Sequence, residues 1–196
     1  MEAFQRNHLK YNPTDKVGLA FCAGANQSIR QFLHASLMTD TYVWATVDDT
    51  ADNRPTVLGN ARNHRLLGSL PQAYFDVVLF ANCPYTVYGT RKFDRDWLRR
   101  IKRLVKPGGE IIFNGLLGLE GWWRYDDFDR TYDGYFQKQS KDIQAHLRGE
   151  ETPYLDELLE WYHANVDPRT RIEIRPRRLP FERPYATYPV FLVIPV

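Results

Sequence analysis

Short apolar runs of strand length alternate with segments of helical spacing between Lys16 and Leu117, and this alternation restricts the fold more than any other feature of the chain. Such runs, bounded by turn residues, are typical of buried strands. The predicted strands cover residues 17–21, 42–47, 56–58, 75–80, 110–114, 171–175 and 190–194. Strands that alternate with helices predict a mostly parallel sheet with right-handed crossovers. Ligands of such sheets bind beyond the carboxyl ends of the strands, so functional residues are expected there.

Three segments carry apolar side chains at helical spacing. Two of them cover residues 29–37 and 154–163. Asp94 is predicted to cap the third helix, whose end is expected at residues 106–109, because Pro cannot continue a helix and Gly accepts its left-handed exit. No helix is predicted between the last two strands, so we expect them to pair antiparallel.

The composition is that of an ordinary globular chain, and it excludes several classes of protein. A length of 196 residues predicts one domain. The chain has 26 Lys and Arg against 24 Asp and Glu, a net charge of +2 that gives no global attraction to nucleic acid or anionic membranes. No apolar stretch approaches the ~20 residues of a membrane helix, and the first ten residues do not resemble a secretory signal. We therefore expect a cytoplasmic protein without a membrane partner.

Cysteine and histidine give no evidence of a metal site. Cys22 and Cys83 are the two cysteines, too few for a disulfide framework or a four-cysteine zinc site, and a pair of thiols fits a reducing compartment. The five histidines show no metal-ligand spacing, so no metal is predicted.

Two motifs resemble the second half of the class I S-adenosylmethionine-dependent methyltransferases. One is the Leu-Pro-x-x-x-Phe-Asp run at residues 70–76, which leads into an apolar strand, and the other is the Lys-Pro-Gly-Gly run at residues 106–109. The closing pair at residues 171–196 is similar to the reversed seventh strand of that family. The resemblance implies an α/β, Rossmann-like methyltransferase fold, with a mostly parallel seven-stranded sheet, an antiparallel last strand and helices on both faces. It implies a single domain over residues 1–196, with an aromatic-rich insertion at about 119–150.

The resemblance also implies S-adenosylmethionine as cofactor, held partly by the loop after the first strand. Phe21, Cys22, Ala23 and Gly24 correspond to that loop. The family has glycines at the positions of Phe21, Ala23 and Ala25, where the backbone approaches the cofactor. This glycine-poor loop therefore departs from the family pattern.

Two further positions correspond to cofactor contacts of the family. Asp48 or Asp49, at the end of the second strand, matches the acid that accepts hydrogen bonds from both ribose hydroxyls. Asn60 and Ala61 follow Gly59 in a segment similar to the Gly-Asp-Ala run that contacts adenine. The alternatives are solvated turn aspartates and an ordinary loop asparagine.

The catalytic residues implied by the resemblance follow the fourth strand. Residues 82–85 (Asn-Cys-Pro-Tyr) resemble the Asn-Pro-Pro-Tyr motif of amine-directed methyltransferases. In that reading, Asn82 accepts a hydrogen bond from the target amine and Tyr85 stacks on the target group. The alternative is a structural Asn-Pro turn.

Two other segments have a functional and an ordinary interpretation. The basic helix at residues 91–106 and the C-terminal arginines from Arg169 to Arg183 either contact phosphates or form solvated surfaces. The aromatic segment at residues 122–136 either covers the acceptor or binds a protein partner.

The sequence thus predicts a methyltransferase, with S-adenosylmethionine as methyl donor and an unidentified small-molecule, protein or nucleic-acid acceptor. The alternative is a methyltransferase-like protein without catalysis that has a structural or regulatory role, because the glycine loop is altered. A dinucleotide-binding oxidoreductase is less well supported, because no Gly-x-Gly-x-x-Gly motif follows the first strand.

Overall fold

The fold is described from a computed structural model that covers residues 16–22, 42–80, 94–114, 138, 141–174 and 190–196. Seven strands form one sheet. They are β1 (Lys16–Phe21), β2 (Tyr42–Asp48), β3 (Val57–Leu58), β4 (Phe75–Phe80), β5 (Val105–Asn114), β6 (Arg171–Ile174) and β7 (Val190–Pro195). The described helices are α1 (His64–Ser69), α2 (Arg95–Leu104), α3 (residues 141–147) and α4 (Pro153–Asn165), and a 3₁₀ turn spans Ala51–Asn53.

The strand order is β3-β2-β1-β4-β5-β7-β6. The pairs from β3 to β5 are parallel, whereas β7 runs antiparallel to both β5 and β6. This is the strand order of the Rossmann-like methyltransferase fold, so the predicted fold class is confirmed. The sequence placed all seven strands to within a few residues, apart from the start of β5. The predicted helix at residues 29–37 lies outside the described residues.

The start of α2 agrees with the sequence, but its end does not. Asp94 caps the helix as predicted, and its Oδ1 accepts a hydrogen bond from the Trp97 backbone N–H at 2.9 Å. The helix then ends at Leu104 and β5 begins at once with Val105, which pairs with Phe75. The expected helix stop at residues 106–109 is therefore wrong.

Those four residues form an irregularity within β5. The register between β4 and β5 shifts between Phe75 and Val77, so the extra residues leave the regular ladder. Gly108 has a φ of 82°, a left-handed conformation that glycine adopts without strain. At Gly109 a Cβ atom would lie 2.6 Å from the carbonyl oxygen of Asp76, so only glycine fits. The glycine pair thus serves the strand rather than the helix end.

The sequence analysis missed three short elements: α1, α3 and the 3₁₀ turn. Asn63 caps α1, because its Oδ1 accepts hydrogen bonds from the backbone N–H groups of Arg65 at 3.0 Å and Leu66 at 3.3 Å. Leu67 is the buried residue of this helix. Six residues with one buried side chain give too little periodicity for a sequence-based prediction.

A stack of aromatic rings forms the centre of the core. Phe21, Phe80 and Phe113 occupy the same register on β1, β4 and β5. The rings of Phe21 and Phe80 lie 5.0 Å apart and 10° from parallel, and those of Phe80 and Phe113 lie 4.8 Å apart and 9° from parallel. Trp97 of α2 packs on Phe80 with ring centroids 5.2 Å apart. We call these four residues the aromatic stack.

At the opposite, amino end of the sheet, Asp76 connects three strands. Its Oδ2 accepts a hydrogen bond from the Val17 backbone N–H of β1 at 2.8 Å and one from Lys106 Nζ of β5 at 2.9 Å. Burial alone raises the pKa of Asp76, but these two hydrogen bonds outweigh it, so its pKa lies below the ordinary value. The Phe-Asp motif therefore has a structural role in this chain.

A buried carboxylate, that of Asp167, connects α2 to the segment between α4 and β6. Asp167 is 6% exposed and forms ion pairs with Lys102 and Arg169. Burial by itself raises the pKa of Asp167, but the hydrogen bonds from Arg169 and Lys102 outweigh it and lower the pKa to about 2.

Among the helices in the described part of the chain, none combines the length and the apolar character needed to cross a membrane.

We predict that Asp76→Asn lowers the free energy of unfolding by about 1.5–3 kcal/mol, because it weakens two hydrogen bonds to a charged acceptor. Urea denaturation of the full chain measures this change. Asp52→Asn is the control, since Asp52 is exposed. An Asp76→Asn variant as stable as the control would contradict the role given to Asp76.

We predict that stability falls as the pH is lowered from about 4 to about 2, and that Asp167→Asn flattens this dependence. The folded state holds the pKa of Asp167 near 2, below its ordinary value of 3.8. At a pH well above 3.8, the charged form of Asp167 therefore contributes about 2 kcal/mol to the free energy of unfolding. This contribution is lost as the pH falls towards 2 and the carboxylate is protonated in the folded state. Unfolding free energies measured across this pH range, with Asp52→Asn as control, test the prediction. An unchanged slope in Asp167→Asn would refute it.

Candidate functional site

The ends of β1, β2 and β3 meet at the carboxyl edge of the parallel part of the sheet. The backbone N–H of Cys22 donates to the carbonyl oxygen of Val47 at 2.9 Å, which links the exit of β1 to β2. The N–H of Gly59 donates to the carbonyl oxygen of Asp48 at 2.8 Å, which links the exit of β3 to β2. These bonds bring together the predicted residues that follow three different strands. We call this region the carboxyl edge.

Phe21 ends β1 with its side chain in the core. It is fully buried in the aromatic stack, so only its backbone is available to the carboxyl edge. The side chain of Phe21 stacks on Phe80 in the core, so its bulk does not lie beyond the end of the strand.

Cys22 turns the chain out of β1 in a left-handed conformation, with a φ of 54°. This conformation is uncommon for a residue other than glycine. A cysteine therefore makes this turn, at a position that lies between two glycines of the pattern that the sequence resembles. Cys22 is also disulfide-bonded, so the expectation of a free thiol at this position is wrong.

Asp48 shapes the turn that follows β2. Its side chain is buried, and its Oδ1 accepts hydrogen bonds from the Thr50 backbone N–H at 2.9 Å and from Asn53 Nδ2 at 3.0 Å. The first of these bonds is the Asx-turn geometry, in which an aspartate mimics a backbone carbonyl two residues before the donor.

Asp49 and Asn60, which come from two different loops, lie side by side at the surface. Both residues are exposed, and Asn60 Nδ2 approaches Asp49 Oδ2 at 3.4 Å. Asn60 Oδ1 accepts a hydrogen bond from the Arg62 backbone N–H at 2.8 Å, a second Asx turn that sets the orientation of the amide. The structure thus places one predicted ribose ligand next to the predicted adenine ligand.

Ala61 lies in the core and anchors the loop that carries Asn60. It is 4% exposed, and its carbonyl oxygen accepts a hydrogen bond from Trp97 Nε1 at 3.1 Å. An ion pair between Arg62 and Asp94 at 3.3 Å adds a second link between this loop and the start of α2. The position of Asn60 therefore depends on α2.

The remaining predicted site residues lie outside the described residues. These are Ala23, Gly24, Asn82 and Tyr85, together with the aromatic segment at residues 122–136. Their assigned roles stay predictions. Within the part of the chain that the structure describes, no group of three or more His, Cys, Asp or Glu side chains could hold a metal ion.

The sequence analysis missed the residues that support this site. Asn53 holds Asp48 from within the same turn, whereas Trp97 holds Ala61 through a contact between separate segments of the chain. The Asx turns at Asp48 and Asn60 are local and could have been recognised, because an Asp or Asn in a predicted loop favours a hydrogen bond to the backbone two residues on. No comparable sequence pattern marks Trp97 as an anchor.

Comparisons with known proteins give matches at the level of the fold only. No protein-family model matches the chain, and no curated protein matches it. Among solved structures, a candidate S-adenosyl-L-methionine-dependent methyltransferase of Methanococcus maripaludis is 12% identical, with a TM-score of 0.46 over 94% of this chain and 79% of that one. The DszA carbon methyltransferase is 16% identical, with a TM-score of 0.45 over 95% of this chain and 48% of that one.

A third similar structure is human methyltransferase-like protein 13 in complex with SAH. It is 12% identical, with a TM-score of 0.45 over 91% of this chain and 71% of that one. The chain spans about half the length of the DszA methyltransferase that it resembles. Similarities of this size do not bear on activity, and the fold assignment rests on the strand order of the sheet itself.

We predict that Trp97→Phe lowers the free energy of unfolding by about 1–3 kcal/mol, because the buried carbonyl of Ala61 then lacks its donor while the aromatic packing is largely kept. Thermal and urea denaturation measure the loss. Trp161→Phe is the matched control, since the Trp161 side chain is only half-buried. Equal losses in both variants would contradict the anchoring role of Trp97.

Proposed function

We propose that this chain binds S-adenosylmethionine at the carboxyl edge and transfers its methyl group to an acceptor. The observation that carries the proposal is the juxtaposition of Asp49 and Asn60 where the exits of β1, β2 and β3 are joined, in a sheet with the methyltransferase strand order. The acceptor is a small molecule, a protein or a nucleic acid.

The exposed side chains at this edge fit the hydrogen-bonding groups of an adenosine. A carboxylate accepts two hydrogen bonds at once, which suits the neighbouring hydroxyls of a ribose. Asp48 already accepts two hydrogen bonds within its own turn, whereas Asp49 is exposed beside Asn60. We therefore assign the ribose to Asp49 and the adenine to Asn60, whose amide can both donate and accept.

The altered glycine loop is compatible with this binding mode. The side chain of Phe21 is in the core, and Cys22 adopts the backbone conformation usually left to glycine. The bulk of Phe21 therefore does not occupy the carboxyl edge, and the backbone of residues 21 and 22 remains there.

The charge of the region also suits a cationic ligand. Asp48 and Asp49 are adjacent acids at the end of β2. A bound sulfonium would supply an activated methyl group with a good leaving group, so the main task of the protein is to align donor and acceptor. Asn82 and Tyr85 are the residues proposed to orient the acceptor.

The second candidate function is that of a methyltransferase-like binding protein without catalysis. It is favoured by the same observation that sets the chain apart from the family, namely the absence of glycine at positions 21, 23 and 25. Binding of the cofactor distinguishes the two functions.

Isothermal titration of the full chain with S-adenosylmethionine and with S-adenosylhomocysteine tests the proposal. We expect measurable heat for both ligands and a loss of about 10- to 150-fold in affinity for Asp49→Asn, since a hydrogen bond to a charged group contributes about 1.5–3 kcal/mol. Asp52→Asn removes the same charge from the same loop and should leave the affinity nearly unchanged.

Three results would count against this assignment. Absence of heat and of a thermal shift at millimolar ligand would favour the non-catalytic protein. If Asp52→Asn lowered the affinity equally, the effect of Asp49→Asn would reflect the negative charge of the loop rather than a direct contact with the ribose. If Asp48→Asn lowered the affinity without lowering the stability, and Asp49→Asn did not lower the affinity, the ribose contact would belong to Asp48 instead.

A further inference from the structure

We infer that α2 forms a docking surface for the phosphate backbone of a nucleic acid. Arg95, Arg99 and Arg103 lie four residues apart on this helix, and all three are exposed. Residues at this spacing are neighbours on one helix face, with about 5–6 Å between successive Cβ atoms. We call these three residues the arginine stripe.

The acidic residues that the structure describes compensate little of the positive charge of the stripe. Among the described residues, Arg95 and Arg103 have no acidic partner. Arg99 pairs with Asp96, but the two side chains are 64% and 69% exposed, and a surface pair of this kind contributes little to stability. Arg99 can therefore exchange its carboxylate partner for a phosphate at small cost.

Other cations of the chain are engaged in ion pairs within the fold. Lys102, on the same helix, binds the buried Asp167, and Lys106 binds Asp76. Arg171 pairs with Glu110 and with Glu173. Although the net charge of the whole chain is only +2, one face of α2 thus presents three exposed arginines.

The chemistry of this face favours a nucleic acid over an anionic membrane. A helix that binds membranes inserts exposed apolar side chains beside its basic ones. The apolar residues of α2 are all buried: Trp97, Leu98, Ile101 and Leu104. Arginine, rather than lysine, supplies the three charges, and its planar guanidinium binds phosphate oxygens with two parallel hydrogen bonds.

The stripe begins beside the carboxyl edge. Asp94 caps α2 and pairs with Arg62, which belongs to the loop that carries Asn60. A polyanion bound along the stripe would therefore reach the rim of the candidate cofactor site. The inference goes beyond the proposed function, because it concerns binding that does not require a cofactor.

Fluorescence anisotropy of a labelled single-stranded RNA, titrated with the full chain at several salt concentrations and without cofactor, tests the inference. We expect binding that weakens with salt. In the triple variant Arg95→Gln/Arg99→Gln/Arg103→Gln, the slope of log affinity against log salt should decrease by about 2, since each phosphate contact on a single strand contributes about 0.7. Glutamine has a helix propensity close to that of arginine, so α2 should persist.

The matched control is Lys138→Gln/Lys141→Gln/Arg148→Gln, which removes the same charge from exposed positions at and around α3. It should leave the slope nearly unchanged. Should the triple variant unfold, the single variants Arg95→Gln and Arg103→Gln should each lower the slope by about 0.7.

Absence of RNA binding by the unmodified chain at low salt would overturn the inference, and so would an equal loss in the control variant. If the chain bound phosphatidylserine vesicles but not RNA, and the triple variant lost that binding, the partner of the stripe would be an anionic membrane and the inference of a nucleic acid would be wrong. All of these readouts are independent of methyl transfer, so failure here leaves the cofactor proposal standing, and the reverse also holds.

Discussion

The stacking of Phe21, Phe80 and Phe113 across three neighbouring strands is the interaction on which the candidate site depends. Ring pairs of this geometry contribute about 0.5–1.5 kcal/mol each beyond the burial of their surface. They hold the carboxyl ends of β1, β4 and β5 in register, and Trp97 extends the contact to α2. Because Trp97 also donates to Ala61, the same cluster positions the loop that carries Asn60. Core packing and site geometry are therefore coupled through a single side chain.

The two ends of the sheet use carboxylates for different purposes. At the amino end, Asp76 is bound by a backbone N–H and by a lysine, so its charge is compensated within the fold. At the carboxyl edge, Asp48 is held by its own turn and Asp49 remains exposed. Compensated charge stabilises a structure, whereas exposed and oriented charge is available to a ligand. This contrast supports a ligand site at the carboxyl edge and a structural role for the Phe-Asp motif.

At the exit of β1, the backbone adopts a conformation typical of glycine although no glycine is present at residues 21 and 22. The methyltransferase pattern that the sequence resembles has glycines at positions 21, 23 and 25, where this chain has Phe, Ala and Ala, and these residues predict a poor fit to a close backbone approach. Yet Phe21 is accommodated in the core and Cys22 adopts a left-handed φ of 54°. Such strain in a residue other than glycine costs about 1–3 kcal/mol and persists only where the surrounding structure enforces it. The hydrogen bond from Cys22 to Val47 is one of the contacts that enforce it.

Sequence alone determined the features that depend on local periodicity: the strand positions, the cap at Asp94 and the antiparallel closing pair. It also located the acids after β2 and the Gly-Asn-Ala segment, because a parallel sheet brings strand exits to one edge. The structure shows that Asp49, rather than Asp48, is the exposed acid. The start of β5 at Val105 and the three strands joined by Asp76 also became evident only in the folded structure, because both depend on partners far away in the chain that no local pattern encodes. For the same reason, the sequence identifies Trp97 only as a core residue, whereas the structure shows that it also donates a hydrogen bond to Ala61.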